Sequence, residues 1–166
     1  AFHNEVLPAL KTKYIDTGRV HYVYREFLTE PVQVASASFL MARCAGKDKY
    51  FSVLDSVYHS QEEMFTTGDY RGVLLRIAQS AGMTEAQFET CVNDTKALDA
   101  LKKRVERNGK DGVEGTPTFF VNGVRLGEKA GGEQTLAQLD AAIAAAKARK
   151  DPNAAAKAAA PKAGAQ

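Results

Sequence analysis

The apolar residues near the amino end of the chain recur at about helical spacing, which predicts a helix over residues 1–17. Pro8 fits either the first turn of this helix or a kink in a longer one. Gly18 is expected to end it. The residues that set the spacing are Phe2, Val6, Leu10 and Tyr14.

The segment that follows has the composition of a β-strand. Residues 20–27 are Val-His-Tyr-Val-Tyr-Arg-Glu-Phe, and β-branched and aromatic side chains are favoured in strands. Large side chains fall on both faces of this predicted strand. Both faces can therefore be covered, as in an α/β sheet.

Residues 31–108 have helical periodicity throughout, and their apolar stripes predict a packed core rather than a binding site. Thr84 and Gln87 form a capping box, with Met83 and Phe88 placed as its hydrophobic staple. The three main stripes are Val34, Ala37, Met41 and Cys44; Tyr70, Val73, Leu74, Ile77 and Ala81; and Leu98, Leu101 and Val105.

Strand signals return near the carboxyl end of the chain. Residues 118–121 predict a short strand, Asn122-Gly123 is the strongest two-residue hairpin signal, and Val124–Leu126 predicts the returning strand. A final helix is predicted to begin at Thr135, where Gln138 completes a second capping box.

The order of these elements predicts an α/β fold, with a mixed sheet covered by helices. One strand and one hairpin make a thin sheet for so many helices, so we expect that a strand is missing ahead of the first helix. The last residues, 149–166, are rich in Ala, Lys and Pro and have no apolar stripe, which predicts a disordered tail.

The composition fits one ordinary domain, with 166 residues of which 45% are apolar. Lys and Arg number 22 against 20 Asp and Glu, so the charge indicates neither a nucleic-acid nor a membrane partner. No apolar run reaches the ~18–20 residues that span a bilayer, and no membrane insertion is expected. Ala1 is not an initiator Met, so we expect a mature or trimmed product.

Few residues carry evident chemistry. Cys44 and Cys91 are 91 − 44 = 47 positions apart, so they form no Cys-x-x-Cys motif, and two thiols are too few for a structural zinc site. They are either two buried small apolar side chains or one disulfide, and a disulfide would imply an extracytoplasmic compartment. His3, His21 and His59 show no metal-ligand spacing, so no metal site is predicted.

The most informative segment is residues 113–123, Val-Glu-Gly-Thr-Pro-Thr-Phe-Phe-Val-Asn-Gly. Taken alone, Pro117 fits an ordinary trans proline at the start of a strand. With its strand and hairpin, however, the segment resembles the cis-proline loop of thioredoxin-fold oxidoreductases. In that family the residue before the proline pairs with the backbone of the substrate peptide. The resemblance therefore implies a substrate-binding role for Thr116 and Pro117.

The start of the chain independently resembles the DsbA-like members of that family. Residues 1–11, Ala-Phe-His-Asn-Glu-Val-Leu-Pro-Ala-Leu-Lys, are similar to the helix that follows Cys-x-x-Cys, and residues 23–27 are similar to the second core strand. The helical stretch before the cis-proline loop resembles the insertion that separates DsbA-like proteins from plain thioredoxins. The resemblance covers about residues 1–147.

This resemblance implies an α/β, thioredoxin-like fold with a helical insertion. Residues 1–30 and 113–148 would form the two parts of the thioredoxin core, residues 31–112 the insertion, and residues 149–166 the tail. The sequence departs from the family in holding no Cys-x-x-Cys, because the matching position falls just before Ala1. We therefore expect truncation at the amino end, with the first strand missing and no catalytic residue in this chain.

For the parent protein, the resemblance implies a thiol-disulfide oxidoreductase that forms or exchanges disulfides through a mixed disulfide. A Cys at the start of a helix has its thiolate stabilised by the helix dipole. The expected substrates are unfolded, cysteine-containing polypeptides, and a membrane redox partner is expected to reset the protein. No metal or organic cofactor is implied, and the expected location is the periplasm or another extracytoplasmic compartment.

The resemblance also suggests roles for four residues of this chain. Some DsbA-like proteins carry a second, non-catalytic disulfide in the insertion, which would join Cys44 and Cys91. We expect that disulfide to be structural, buried and inert, and to stabilise the fold by at most about 4 kcal/mol. His3 and Glu26 are possible proton relays near the missing cysteines; a packing histidine and a salt-bridged glutamate are the alternatives.

Two other functions fit the same fold. Kappa-class glutathione transferases and hydroxychromene isomerases have a similar insertion and use a Ser in place of the first Cys, and the residues ahead of Ala1 would distinguish them. A disulfide in this chain would argue against these enzymes of reducing compartments. A non-catalytic peptide-binding module is the other alternative. Whether the parent acts as oxidase, reductase or isomerase stays open.

Overall fold

The computed structural model describes residues 2–127 and 132–150, and most of these residues are helical. The predicted tail lies outside the described residues from residue 151 onward. Two short strands, β1 (Phe119–Val121) and β2 (Val124–Leu126), precede the last helix. The helices are α1 (Phe2–Glu5), α2 (Leu7–Leu10), α3 (Val32–Cys44), α4 (Tyr50–His59), α5 (Gln61–Thr67), α6 (Tyr70–Ser80), α7 (Glu85–Val92), α8 (Thr95–Lys110) and α9 (Leu136–Lys150).

The helix predicted over residues 1–17 is divided into shorter pieces. α1 and α2 meet at Val6, and a π-helical turn, Lys11–Ile15, continues α2. Pro8 lies in the first turn of α2, where its missing N–H leaves no hydrogen bond unmade. Gly18 has a φ of +69°, and this left-handed residue ends the helical run as predicted.

The strand predicted over residues 20–27 is wrong for the described structure. This segment is extended, but none of residues 21–29 has a backbone hydrogen bond to a neighbouring strand among the described residues. Strand formation requires a partner on at least one edge, and local composition does not supply one. We refer to residues 20–27 as the extended segment.

The middle of the chain is a helical bundle, as its periodicity predicts. The capping box at Thr84 and Gln87 forms with both of its hydrogen bonds, and Phe88 in the following turn is buried. Burial of apolar side chains is the main favourable contribution to packing these helices. The buried residues of this larger cluster are Phe39, Leu40, Met41, Ala42, Val53, Leu54, Val57, Met64, Val73, Leu74, Ile77, Ala78, Phe88 and Leu101.

The amino-terminal helices, β1 and α9 form a second, smaller hydrophobic cluster. Its buried members are Leu10, Tyr14 and Leu139, against which Phe119 of β1 packs. The Tyr14 hydroxyl donates a hydrogen bond of 2.7 Å to Asp140 of α9, which fixes the amino-terminal helices to the carboxyl-terminal one.

The hairpin forms in the register that its turn predicts. Phe119 pairs with Leu126, and Val121 pairs with Val124 in an antiparallel ladder. Asn122 and Gly123 have φ values of +49° and +80°, the backbone that a two-residue hairpin turn of this kind requires. The predicted hairpin is confirmed.

Candidate active site

The loop ahead of β1 has the geometry expected at a cis-proline site. The Thr116–Pro117 peptide bond is cis, and the Thr118 hydroxyl donates a 2.6 Å hydrogen bond to the Gly115 carbonyl, which closes the loop. Thr116 is exposed and Pro117 is half-buried. The backbone groups of Thr116 make no backbone hydrogen bond within residues 2–127 and 132–150.

This loop borders a cleft of about 1430 Å³. The other walls include the start of α1, the extended segment, β1 and α9, together with parts of α3 and α4. The cleft contains four of the residues selected from the sequence, whereas the two cysteines lie elsewhere. The four lining residues are His3, Glu26, Thr116 and Pro117.

An aromatic contact holds α1 next to β1. The rings of Phe2 and Phe119 meet edge to face, with centroids 4.6 Å apart and an interplanar angle of 64°. Edge-to-face pairs are favoured because the positive ring edge meets the negative ring face. The contact keeps the first turn of α1 and the cis-proline loop on the same cleft.

His3 is held by partners from the helical bundle. Its ring stacks on Tyr58 with centroids 4.4 Å apart, and its Nε2 lies 3.0 Å from Asp55 Oδ1. Only 14% of the His3 side chain is exposed. These partners follow 52 and 55 positions later in the chain, and no sequence motif predicts the contact.

Tyr58, on which His3 stacks, also pairs with a second tyrosine of the cleft through its hydroxyl group. The Tyr58 and Tyr24 hydroxyl oxygens are 2.6 Å apart. Burial raises the pKa of both phenols above the usual range, and it raises the pKa of Tyr22 to about 12. All three phenols are therefore neutral at physiological pH, and those of Tyr24 and Tyr58 hydrogen-bond to each other.

Glu26 is a buried carboxylate between two arginines. Its side chain is 3% exposed, and it accepts hydrogen bonds from Arg43 Nε at 2.6 Å and Arg104 Nε at 2.7 Å. Burial alone would raise the pKa of Glu26, but the two arginine hydrogen bonds outweigh it, so the pKa is lowered. A carboxylate held ionised in this way is a weak proton acceptor at neutral pH.

Cys44 and Cys91 form a disulfide that joins the end of α3 to α7. The S–S distance is 2.08 Å and the two Cα atoms are 6.2 Å apart. The expectation that both cysteines are buried is wrong, because Cys44 is exposed and Cys91 is only half-buried. Cys44 is the last residue of α3, and there the apolar stripe of that helix reaches the surface.

The described residues contain neither a candidate metal site nor a helix that could cross a membrane. No three His, Cys, Asp or Glu side chains within residues 2–127 and 132–150 are grouped to hold a metal ion. Among the helices that the structure describes, none is both long and apolar enough to cross a membrane.

A family model described as thioredoxin matches residues 1–145. The chain belongs to the thioredoxin family. Its fold is the DsbA-like form of the thioredoxin fold, because the crystal structure of Wolbachia pipientis alpha-DsbA1 superimposes with a TM-score of 0.73 at 25% sequence identity. The match covers 90% of this chain and 81% of that structure. The fold class implied by the resemblance is therefore confirmed.

Two thioredoxin-family relatives have names that concern disulfide chemistry. A Rickettsia conorii protein named "Putative protein-disulfide oxidoreductase" is 34% identical over 128 residues, which is 76% of this chain and 46% of the relative. A Bacillus anthracis protein named "Probable disulfide bond formation protein D" is 25% identical over 122 residues, or 71% of this chain and 56% of the relative. The chain thus spans about half the length of these relatives.

Proposed function

We propose that this chain is part of a DsbA-like thiol-disulfide oxidoreductase that forms or exchanges disulfides in exported proteins. One observation carries the proposal: the cis Thr116–Pro117 loop and the first turn of α1 border the same cleft. The names and the fold of the relatives support the same chemistry.

In this proposal Thr116 and Pro117 contact the substrate polypeptide. Thr116 is exposed and leaves its backbone N–H and carbonyl unpaired within the described ranges. An extended peptide adds to such a free edge through main-chain hydrogen bonds, which recognise a backbone rather than a particular sequence. This mode of binding suits an enzyme whose substrates are unfolded, cysteine-containing polypeptides.

The redox cysteines are proposed to lie ahead of α1 in the full-length protein, on a strand that fills the cleft. Two features support this placement: the extended segment lacks a strand partner among the described residues, and Val23 of that segment is 62% exposed at the cleft. A strand placed there would pair with the extended segment and cover Val23.

The reaction exchanges one disulfide for another. A substrate thiolate attacks one sulfur of the protein disulfide, the protein S–S bond breaks, and the second protein sulfur leaves as a thiolate. A second substrate thiolate then attacks the substrate sulfur of the mixed disulfide, which breaks that bond, releases the first protein sulfur as a thiolate and leaves a disulfide in the substrate. The substrate loses two electrons and the protein gains them, so a membrane redox partner is proposed to reoxidise it.

His3 and Glu26 are proposed to act by position. The two arginine partners of Glu26 favour the structural salt bridge over the relay role considered from the sequence. His3 is packed on Tyr58 and paired with Asp55, so it fixes the start of α1 against the bundle. A location outside the cytoplasm is proposed because disulfides such as Cys44–Cys91 persist in oxidising compartments.

The decisive experiment is oxidation of a reduced two-cysteine peptide by the full-length protein, combined with alkylation and intact mass before and after reduction. We expect peptide oxidation, and two thiols in addition to Cys44 and Cys91 that appear only on reduction. A protein that holds only the two known cysteines and oxidises no peptide would instead be a peptide-binding module. Conjugation of glutathione without peptide oxidation would favour the transferase alternative.

A further inference from the structure

A second, smaller cavity of about 310 Å³ adjoins the cleft and is lined largely by arginines. The extended segment, α3 and α8 supply its walls. Both cavities share Tyr24, Arg25 and Glu26 in their linings. The charged residues around the smaller cavity are Arg25, Arg43, Arg104, Arg107, Glu26 and Asp111.

The charges around this cavity do not balance. Both oxygens of the Glu26 carboxylate are occupied by Arg43 and Arg104, and Asp111 pairs with Arg25 at 2.7 Å. Arg107 donates no side-chain hydrogen bond to any residue that the structure describes. Four guanidinium groups against two carboxylates leave a net charge of 4 − 2 = +2.

The hydrogen-bonding capacity of the cluster is also incomplete. Arg104 uses its Nε on Glu26, while its Nη2 is buried and has no acceptor within the described residues. A guanidinium group has five N–H donors, and the two carboxylates supply too few lone pairs for four such groups. The cluster therefore has an excess of positive charge and of donors at the same place.

We propose that this cavity binds a single oxyanion group, a phosphate or a sulfate, either as the free ion or as a monoester. A dianion offers the −2 charge that balances the cluster, and its several oxygens match the forked geometry of guanidinium groups. Arg43 and Arg107 are exposed and would supply donors at the mouth of the cavity, and Arg104 would add its buried Nη2. The site is independent of the thiol chemistry proposed above, since it includes neither Thr116 nor any cysteine.

Two features oppose an anion here and keep the expected affinity modest. Asp111 carries a like charge, and the carboxyl-terminal end of α8, with its partial negative charge, lies beside Arg107. The arginine excess outweighs both features, because Asp111 is already neutralised by Arg25. Binding is therefore expected to depend on Arg107, an arginine of the cluster to which the described residues supply no carboxylate partner.

The test is a titration of the full-length protein with inorganic phosphate, with chloride at matched ionic strength as the reference, followed through the arginine Nε–Hε resonances. We expect selective shifts for Arg43, Arg104 and Arg107. Arg107→Gln should weaken binding about tenfold, because one charge-assisted contact is lost. The matched control, Arg76→Gln, removes the same charge from an exposed arginine that pairs with Glu63 on the bundle and should leave the affinity unchanged.

Equal weakening by Arg107→Gln and Arg76→Gln would overturn the proposal, since only the overall charge would then matter. Uniform shifts of all arginine resonances, or no difference from chloride, would overturn it too. A parallel titration with glycerol 3-phosphate identifies the source of the anion: tighter binding than phosphate indicates a monoester, and equal binding indicates the free ion. Arg107 is exposed, so its replacement is not expected to unfold the protein.

Discussion

The surroundings of Glu26 decide its chemistry more than its residue type does. An isolated buried carboxylate tends to take up a proton, because burial disfavours its charge. Arg43 and Arg104 reverse this tendency, and the Asn108 side chain adds a 2.9 Å hydrogen bond to the Glu26 backbone carbonyl. One residue therefore joins the extended segment to α3 and α8, while its carboxylate stays ionised at neutral pH.

Replacing Glu26 by Gln tests the salt bridges that Glu26 makes with Arg43 and Arg104. At pH 7 we expect Glu26→Gln to lower the free energy of unfolding by about 3 kcal/mol, because two buried guanidinium groups lose their counter-charge. The folded-state pKa is lowered from 4.5, so the stabilisation is present above that pH and is lost as the pH falls through the lower pKa. Urea unfolding of both proteins at pH 7 and pH 3 measures the difference.

The difference between the two proteins should shrink at pH 3, which lies below the unfolded-state pKa of 4.5, because the unfolded wild-type chain then binds a proton at Glu26 that the folded chain resists. Glu106→Gln is the matched control, because Glu106 pairs with Lys110 on the exposed surface of α8. It should change little at either pH. An undiminished effect of Glu26→Gln at pH 3 would mean that shape, and not charge, accounts for the role of Glu26.

At the scale of elements, the hairpin and the first helix are two of the elements that border the cleft. The hairpin depends on its two turn residues, and α1 depends on its packing against β1. Both dependences can be tested with single substitutions, each matched by a control in the bundle.

Gly123→Ala should destabilise the protein by about 1 kcal/mol. Gly123 has a φ of +80°, and an added Cβ would meet no atom within 4 Å, so the cost is purely conformational. Gly109→Ala is the control: it lies in α8, also has open space, and should stabilise the helix by about 0.5–1 kcal/mol. Thermal unfolding of both variants measures the two effects, and the same sign for both would contradict the argument.

Phe2→Ala should lower the free energy of unfolding by about 2 kcal/mol, because the ring is half-buried against Phe119. Phe65→Ala is the comparison, since Phe65 is 55% exposed and packs mainly on Tyr70. Its effect should be clearly smaller. Chemical denaturation of the two variants checks the order, and a reversed order would show that α1 is not fixed through Phe2.

The sequence predicts correctly those caps and turns that depend only on residues a few positions apart. The capping boxes at Thr84 and Thr135 and the Asn122-Gly123 turn each depend on side chains within a few positions, and all of them form. The extended segment was mispredicted because strand pairing depends on partners far along the chain. The contacts of His3 with Asp55 and of Glu26 with Arg104 span 52 and 78 positions, so spacing could not reveal them.

At the scale of the whole molecule, the described residues bury their apolar side chains in two separate hydrophobic clusters. The larger lies among α3–α8, and the smaller lies between the amino-terminal helices, β1 and α9. The cleft borders on residues of both, including Phe39 and Leu54 from the larger and Leu139 from the smaller. The predicted division into residues 1–30, 31–112 and 113–148 stays a prediction, because clusters alone do not establish independent units.

Removing the disulfide should lower the stability of the folded protein through its effect on the unfolded chain. Cys44→Ala with Cys91→Ala is expected to lower the free energy of unfolding by up to about 4 kcal/mol, because the unfolded chain gains the entropy of an open loop. Urea unfolding of the full-length protein under oxidising conditions measures this loss. Stability unchanged in the double variant would show that the α3–α7 contact holds without the covalent bond.

The same disulfide also determines which part of the chain bears the load when the two chain ends are pulled apart. It closes a covalent ring whose interior holds 91 − 44 − 1 = 46 residues, including all of α4, α5 and α6. A force that pulls the chain ends apart passes from α3 to α7 through sulfur and bypasses those helices. The oxidised chain should therefore extend about 160 Å less than the reduced chain when fully stretched, at roughly 3.5 Å per residue.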